Sequence, residues 1–319
     1  MNEADLLPRV LERYSLAEAR TELLQSLGNH IYRVEVRTGR RFSLRICPAT
    51  FQNRQWLEDE LVWLEFVAGQ NQVRVPRPVR NRQGELLTVT PAATGELFSC
   101  VFEWVEGQEA KKALTGPVMR EIGCTVAALH QIAKTFAFPA KENKFRDDYR
   151  YDQTLLEQHR GWIELHQAEI SPEKVNLLYM AIEQGIEAME RIGEKPDNFG
   201  FIHADLHFGN FLVQDGRVSV IDFDQLGRGH YLYDIAVLMV ELFDQPAQFP
   251  ARWQSFKEGY QAVAPLPFQA ESELDPFIVA VHLAFLDWVY NAPNPAVRQE
   301  KMHLVPAVYE SIRRRLRTG

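Results

Sequence analysis

The pattern of apolar residues changes once along this chain, near Glu106–Gly107, and that change limits the folds that the chain can adopt. Before it, short segments alternate between apolar and polar residues, as around Tyr32 and Val34, and such alternation predicts strands. One longer segment, 53–69, carries apolar residues at helical spacing. We expect a five-stranded antiparallel sheet with one helix after its third strand, the strands lying at residues 22–27, 31–38, 41–47, 85–90 and 97–105.

After residue 107 the spacing is helical, with one interruption at residues 201–224, where the pattern predicts strands and loops. The chain is therefore predicted to have an α+β fold with two lobes, a sheet-rich lobe at residues 1–105 and a mainly helical lobe at residues 106–319. The helices of the second lobe are expected at about residues 115–134, 151–168, 172–192, 229–243, 251–262, 273–291 and 299–317.

Composition excludes several classes of protein. Of the 319 residues, 46% are hydrophobic and 24% are charged, the proportions of a globular chain rather than a disordered one. The net charge of −8 argues against a nucleic-acid partner, which would require clustered positive charge. The apolar run Ile235–Phe243 is broken by Glu241 and is far shorter than the ~20 residues that cross a bilayer, so no membrane partner is expected.

The cysteines and the first residues indicate the compartment. Cys47, Cys100 and Cys124 are odd in number and widely spaced, which favours reduced thiols over a disulfide framework or a metal site. The chain begins with acidic residues and lacks the basic and apolar regions of a signal peptide. We therefore expect a cytoplasmic protein.

The segment from His203 to Asp224 carries the strongest chemical signal. Asp205 and Asn210 lie five residues apart on one predicted loop, and Asp222 ends the hairpin that follows. Phosphoryl transfer from ATP requires a carboxylate that orients the attacking hydroxyl and accepts its proton, together with oxygen ligands for magnesium. One loop and one hairpin end could supply both.

Residues 201–213 and 220–236 resemble the aminoglycoside phosphotransferase and choline kinase superfamily. The resemblance covers most of the chain in outline, and its specific motifs lie between residues 199 and 238. It implies a bilobal protein-kinase-like fold, ATP and Mg²⁺ as cofactors, and a small-molecule hydroxyl group as the phosphate acceptor.

The resemblance also implies roles for single residues. Asp205 matches the catalytic base of that family, and Asn210 and Asp222 match its magnesium ligands. His203 resembles the histidine that anchors the loop of the base. Asp234 matches the position that braces this loop, either as a helix N-cap or as an acceptor for loop backbone groups.

Two other residues of the motif have open roles. His207 is interpreted as a conformational or substrate-side residue, with direct catalysis the less favoured alternative. Asp224 could assist a second metal ion, and it is equally well explained as a solvated carboxylate in a turn.

The predicted phosphate-binding cation is an arginine. A protein-kinase-like lobe holds the α- and β-phosphates with a basic residue on its third strand, paired to a glutamate on the next helix. The first lysine of the chain is Lys111, so this role falls to Arg45, and Glu60 is its predicted partner. An ordinary solvated helix carboxylate explains Glu60 as well, and the neighbouring Glu58 and Asp59 are competing registers. Choline-kinase-like enzymes use Arg in a similar context, and the planar guanidinium suits phosphate oxygens.

The other nucleotide contacts have weaker signals. The turn at residues 26–30, with the single Gly28, is the candidate cover for the phosphates. Main-chain groups of Glu103 and Val105, where the fifth strand ends, are predicted to pair with adenine, although a plain connector between lobes explains them as well.

Three functions remain open from the sequence. The first is phosphate transfer to a small molecule. Because most of the negative charge follows residue 107, an amine-bearing acceptor such as an amino alcohol, choline, homoserine or an aminoglycoside is favoured. The second is a bacterial protein Ser/Thr kinase, although the segment between Asp222 and Asp234 is short for an activation loop. The third is a catalytically silent nucleotide-binding module.

Overall fold

The computed structural model describes residues 3–27, 29–50, 52–92, 95–137, 150–243, 247–292 and 294–316. The chain divides into two compact units. The first unit comprises Met1–Ala113, Phe136–Arg146 and Gly209–Asp224, and the second comprises Leu114–Thr135, Asp147–Phe208 and Gln225–Gly319. The boundary between the lobes at residues 105 and 106 stays a prediction.

The described residues contain ten α-helices, most of them in the second unit. They are α1 (Glu3–Arg13), α2 (Arg54–Gln70), α3 (Gly116–Thr135), α4 (Gln153–His166), α5 (Pro172–Ile192), α6 (Tyr231–Phe243), α7 (Phe249–Gln261), α8 (Asp275–Tyr290), α9 (Pro295–Lys301) and α10 (Val305–Leu316).

The same residues contain twelve strands. They are β1 (Arg20–Leu27), β2 (Asn29–Glu35), β3 (Arg41–Pro48), β4 (Pro78–Val79), β5 (Thr88–Ala92), β6 (Gly95–Glu103), β7 (Gln108–Glu109), β8 (Arg150–Tyr151), β9 (Phe199–Ile202), β10 (Phe211–Gln214), β11 (Arg217–Val220) and β12 (Gly227–His230).

The first unit is built on the predicted antiparallel sheet. Strands β1, β2, β3 and β6 are neighbours in that order, and β4 and β5 pair with different parts of β6. The five longer strands confirm the prediction, and the sixth, β4, has two residues and therefore shows no alternation. Helix α2 begins after Asn53, whose side chain accepts a hydrogen bond from the Gln55 N–H.

Helix α1 covers one side of this sheet. Leu6, Val10 and Leu11 pack with Val34 and Leu44 in one buried cluster. Tyr14, just after α1, accepts a hydrogen bond from the Thr88 hydroxyl and donates one to the Ser99 carbonyl. The cluster and these two bonds fix α1 on the sheet.

The second unit is mainly helical, as predicted, and two helices cross at glycines. On α7, a Cβ atom at Gly259 would lie 1.9 Å from the carbonyl oxygen of Arg120 on α3. On α3, a Cβ atom at Gly123 would lie 2.2 Å from the carbonyl oxygen of Phe256. Glycine at both positions therefore allows α3 and α7 to approach backbone to backbone.

The predicted last helix, residues 299–317, is instead two helices in the described chain. Helix α9 ends at Lys301, and α10 begins at Val305 after a short 3₁₀ turn. Pro306 has no N–H and is favoured in the first turn of a helix, where that N–H would have no partner, which agrees with its place at the start of α10. Residue 317 of the prediction lies outside the described residues.

The described residues contain no helix that is both long enough and apolar enough to cross a membrane. All three cysteines are free; Cys47 and Cys100 are buried and Cys124 is partly exposed. Burial raises the pKa of the Cys47 thiol to about 12, so this group stays protonated near neutral pH.

Candidate functional site

The predicted strand–loop–strand segment is present. Strand β9 leads into residues 203–208, which we call the Asp205 loop, and a short 3₁₀ helix at Phe208–Asn210 leads on to the β10–β11 hairpin. The Asp205 loop belongs to the second unit and the hairpin belongs to the first. The predicted base and the two predicted metal ligands are therefore held in place by different units of the chain.

Helix α6 holds the beginning of the Asp205 loop through Asp234. This carboxylate is 1% exposed and accepts hydrogen bonds from the N–H groups of His203 (3.1 Å) and Ala204 (2.7 Å). Ala204 has a φ of 66°, a left-handed conformation that a residue with a Cβ atom seldom adopts. Asp234 lies in the first turn of α6 and is not its N-cap. Of its two predicted roles, the acceptor for backbone groups is the observed one.

A buried histidine and a tyrosine support Asp234 from behind. His130 of α3 lies 3.2 Å from the Asp234 carboxylate through Nε2, and its Nδ1 lies 2.9 Å from the Tyr260 hydroxyl of α7. Burial raises the pKa of Tyr260, so the phenol is a donor. When Tyr260 donates to the His130 Nδ1, the His130 Nε2–H is left to donate to the Asp234 carboxylate.

His130 and Tyr260 were missed by the sequence analysis. Each occupies a helix position at which apolar packing is the ordinary explanation, and their separation of 130 residues gives no local signal. Their partnership depends on the close crossing of α3 and α7.

The Asp205 carboxylate remains accessible within this fixed loop. Its side chain is 39% exposed, and the His207 Nε2 lies 3.6 Å from its Oδ2. The Asp205 N–H donates to the His203 Nδ1 at 3.3 Å, which agrees with the anchoring role expected for His203. The His207 N–H donates to the Asp205 carbonyl. Backbone bonds thus fix the loop, while the carboxylate stays partly exposed.

The hairpin brings the two predicted metal ligands to one end. Phe211 of β10 pairs with Val220 of β11, and the Ile221 N–H donates to the Asn210 carbonyl at 2.9 Å. Asp222 is the next residue and has a left-handed φ of 65°. Asn210 directly precedes β10, and Asp222 comes just after β11. Both residues therefore lie at the open end of the hairpin, opposite its turn.

Their chemistry fits magnesium. Mg²⁺ is usually bound by one or two protein oxygen ligands and by substrate phosphates, and Asn210 and Asp222 carry side-chain oxygens of the kind that it binds. No group of three or more His, Cys, Asp or Glu side chains suited to a metal ion exists among the described residues. A magnesium site with two protein ligands, one of them an asparagine, does not require such a group of three side chains.

The predicted Arg45–Glu60 ion pair is present. The Arg45 Nη2 and the Glu60 Oε2 are 2.7 Å apart, and the two side chains are 7% and 1% exposed. Burial opposes the charge of Arg45, yet the pKa of Arg45 is raised overall, because the charge and hydrogen bond of Glu60 act together with the Cys47 and Cys100 side chains. The Arg45 Nε is buried without a hydrogen-bond partner. Glu58, the competing register on α2, pairs with Arg54 instead.

The other predicted nucleotide contacts occupy ordinary positions. Glu103 ends β6, and its N–H donates to the Arg77 carbonyl at 2.9 Å. Val105 lies in the connecting segment that follows. In the turn at residues 26–30, Gly28 lies outside the described residues. Asp224 is partly exposed and raises the pKa of the nearby Cys47 thiol, although less than burial does.

Comparisons with known proteins concern the family and the fold of the chain. The family model for the phosphotransferase enzyme family matches residues 21–266. The amicoumacin kinase of Bacillus subtilis (strain 168) is 22% identical over 277 residues, which cover 86% of this chain and 79% of that protein.

Two solved structures share the fold. A microcompartment-associated aminopropanol kinase has a TM-score of 0.80 and 24% identity, with 99% of this chain and 98% of that chain covered. An amicoumacin kinase in complex with AMP-PNP, Ca²⁺ and Ami has a TM-score of 0.77 and 17% identity, with coverages of 98% and 93%.

Proposed function

This chain belongs to the phosphotransferase enzyme family and is a small-molecule kinase, and we propose that it transfers the γ-phosphate of Mg-ATP to a hydroxyl group of a small, amine-bearing molecule. The observation that carries the proposal is the Asp205 loop. Its backbone is held by a buried carboxylate, and it presents an accessible carboxylate beside an imidazole.

Asp205 acts as the general base. A base must lie within hydrogen-bond reach of the proton that it accepts, and its orientation must be fixed before the reaction. The loop bonds through His203 and Asp234 supply the fixed orientation. The carboxylate orients the acceptor hydroxyl and takes its proton as the hydroxyl oxygen attacks the γ-phosphorus, while the bond from the γ-phosphorus to the bridging oxygen breaks and ADP leaves.

Asn210 and Asp222 would hold Mg²⁺, which when bound neutralises charge on the phosphates. The position of the two residues supports this role, because the Ile221 N–H, next to Asp222, donates to the Asn210 carbonyl and so places both at the same end of the hairpin. Asp224 is not required for this pair.

The nucleotide would be bound by residues of the 1–105 lobe. Arg45, oriented by Glu60, would grip the α- and β-phosphates. Main-chain groups of Glu103 and Val105 would pair with adenine. ATP is the proposed donor, in keeping with the AMP-PNP bound to the amicoumacin kinase that shares the fold.

The acceptor would be recognised by the 106–319 lobe. The names of the relatives, an aminopropanol kinase and amicoumacin kinases, support an acceptor of the amino-alcohol or antibiotic class. The free, largely buried cysteines are compatible with the proposed cytoplasmic location.

The test is a screen of ATP consumption against amino alcohols, choline, homoserine and aminoglycosides, followed by substitution of the base. On the acceptor that is found, Asp205→Asn should lower kcat by about 10²- to 10⁴-fold, because it removes proton acceptance. Asp215→Asn, in the exposed turn of the β10–β11 hairpin, is the matched control and should retain activity.

Equal activity of Asp205→Asn and the wild type would refute the assignment of the base. Transfer of labelled phosphate to proteins but to no small molecule would favour the protein-kinase alternative. Binding of Mg-ATP without transfer to any acceptor would favour the silent module.

A further inference from the structure

A second carboxylate of α6 contacts the other end of the Asp205 loop. The Phe208 N–H donates a hydrogen bond to the Glu241 Oε2. Asp234 and Glu241 are seven residues apart on α6, and residues at this spacing share one helix face. One face of one helix therefore accepts from the N–H groups of His203, Ala204 and Phe208.

The position of Glu241 is unfavourable on local grounds. Helix α6 ends at Phe243, so Glu241 lies in its last turn. The C-terminal end of a helix carries partial negative charge, and carboxylates are disfavoured there. The charge-assisted bond from Phe208 compensates for this repulsion. A residue that breaks a local rule and is offset by a contact to the proposed catalytic loop suggests a functional requirement.

We propose that Glu241 is a positioning residue that holds the C-terminal end of the Asp205 loop, so that α6 fixes the loop on both sides of the base. The proposal rests on the proposed role of Asp205. Phe208 lies three residues after Asp205, and without the second tether only the 203–204 end remains held by α6. The base then loses its orientation, while the groups proposed to bind nucleotide are unchanged.

Hydrogen–deuterium exchange of the full chain tests the tether directly. In Glu241→Ala the amides of residues 205–209 should exchange at least about 10-fold faster, because the Phe208 N–H loses its acceptor. Glu241→Gln keeps an amide oxygen that can accept the same bond, so its exchange should lie closer to that of the wild type. Glu190→Ala, which removes an exposed carboxylate from the last turn of α5, is the matched control and should leave this exchange unchanged.

Release of inorganic phosphate from Mg-ATP, with water as the acceptor, tests the consequence. Glu241→Ala should lower kcat by about 10- to 100-fold with KM for ATP changed less than about twofold, as expected for a misplaced base. Glu241→Gln should recover a large part of kcat. If Glu241→Ala does not fold, the kcat and the exchange rates of residues 205–209 in Glu241→Gln are compared with those of the wild type instead.

Wild-type exchange in Glu241→Ala would overturn the proposal, and so would faster exchange accompanied by unchanged kcat. Failure of the proposed function is recognised separately, by wild-type phosphate release in Asp205→Asn. In that case faster exchange in Glu241→Ala would still show the tether, but the tether would not position a base.

Discussion

The buried ion pair between Arg45 and Glu60 allows its contribution to stability to be separated from its contribution to nucleotide binding. The two side chains are 7% and 1% exposed and their charged atoms are 2.7 Å apart. Removing one partner leaves the other charge buried without compensation, which costs about 3–5 kcal/mol. Arg45→Met and Glu60→Leu should each lower the free energy of unfolding by that amount.

The double variant Arg45→Met/Glu60→Leu should behave differently. Replacing both charges by apolar groups of similar volume is often neutral or stabilising by about 1–4 kcal/mol, because no charge is left to desolvate. Its stability should therefore be near or above that of the wild type. Its affinity for Mg-AMP-PNP should nevertheless fall by about 10- to 150-fold, corresponding to the ~1.5–3 kcal/mol of a hydrogen bond to a charged group.

Urea denaturation followed by tryptophan fluorescence and titration calorimetry with Mg-AMP-PNP measure the two quantities. Arg54→Met is the control, because the Arg54–Glu58 pair lies on the same helix with side chains 59% and 36% exposed. It should change stability by less than about 0.5 kcal/mol and leave affinity unchanged. Single variants as stable as the wild type would refute the argument from burial. A stable double variant with wild-type affinity would show that Arg45 has a structural role alone.

Three further predictions concern packing and protonation in the second unit. Gly259→Ala should destabilise the protein by at least about 1–3 kcal/mol in thermal melts, since its Cβ would overlap the Arg120 carbonyl; Gly161→Ala, on α4 with open space around it, should instead stabilise by about 0.5–1 kcal/mol. Tyr260→Phe should cost about 1–3 kcal/mol in urea denaturation, because His130 loses its buried donor. Burial lowers the pKa of His282 from 6.5 to about 3. The contribution of the neutral His282 side chain to stability is therefore present above pH 6.5 and is lost as the pH falls towards 3. The difference in free energy of unfolding between wild type and His282→Gln should narrow by about 2 kcal/mol between pH 7.5 and pH 5.

Periodicity and turn residues were sufficient to predict the main elements of the fold. The alternation around Tyr32 and Val34 corresponds to β2, and the expected helix at 172–192 coincides with α5. Elements without a periodic pattern were missed. Strand β12, with the sequence Gly-Arg-Gly-His, exists because it pairs with β9, and a Cβ atom at Gly229 would lie 2.6 Å from Ile202. Such a strand is determined by its neighbours rather than by its own sequence.

The residues of the candidate site likewise divide into those that the sequence could identify and those that it could not. Asp205, Asn210 and Asp222 lie within eighteen residues of sequence, so a motif could identify them. Arg45 and Glu60 followed from strand alternation and from the lack of lysine in that part of the chain, and the ion pair confirms their contact. His130, Tyr260 and Glu241 act through distant backbone or side-chain groups, and a single sequence contains no pattern that links them.

The left-handed Ala204 explains why so many groups converge on this loop. A non-glycine residue in this conformation costs about 1–3 kcal/mol and persists only where its surroundings enforce it. Asp234 bonds the Ala204 N–H directly, and its carboxylate is in turn bonded to His130. Because every one of these partners belongs to the second unit, the orientation of the loop is set within that unit. The geometry of the proposed base should therefore be present before nucleotide binds, which reduces the reorganisation required during phosphate transfer.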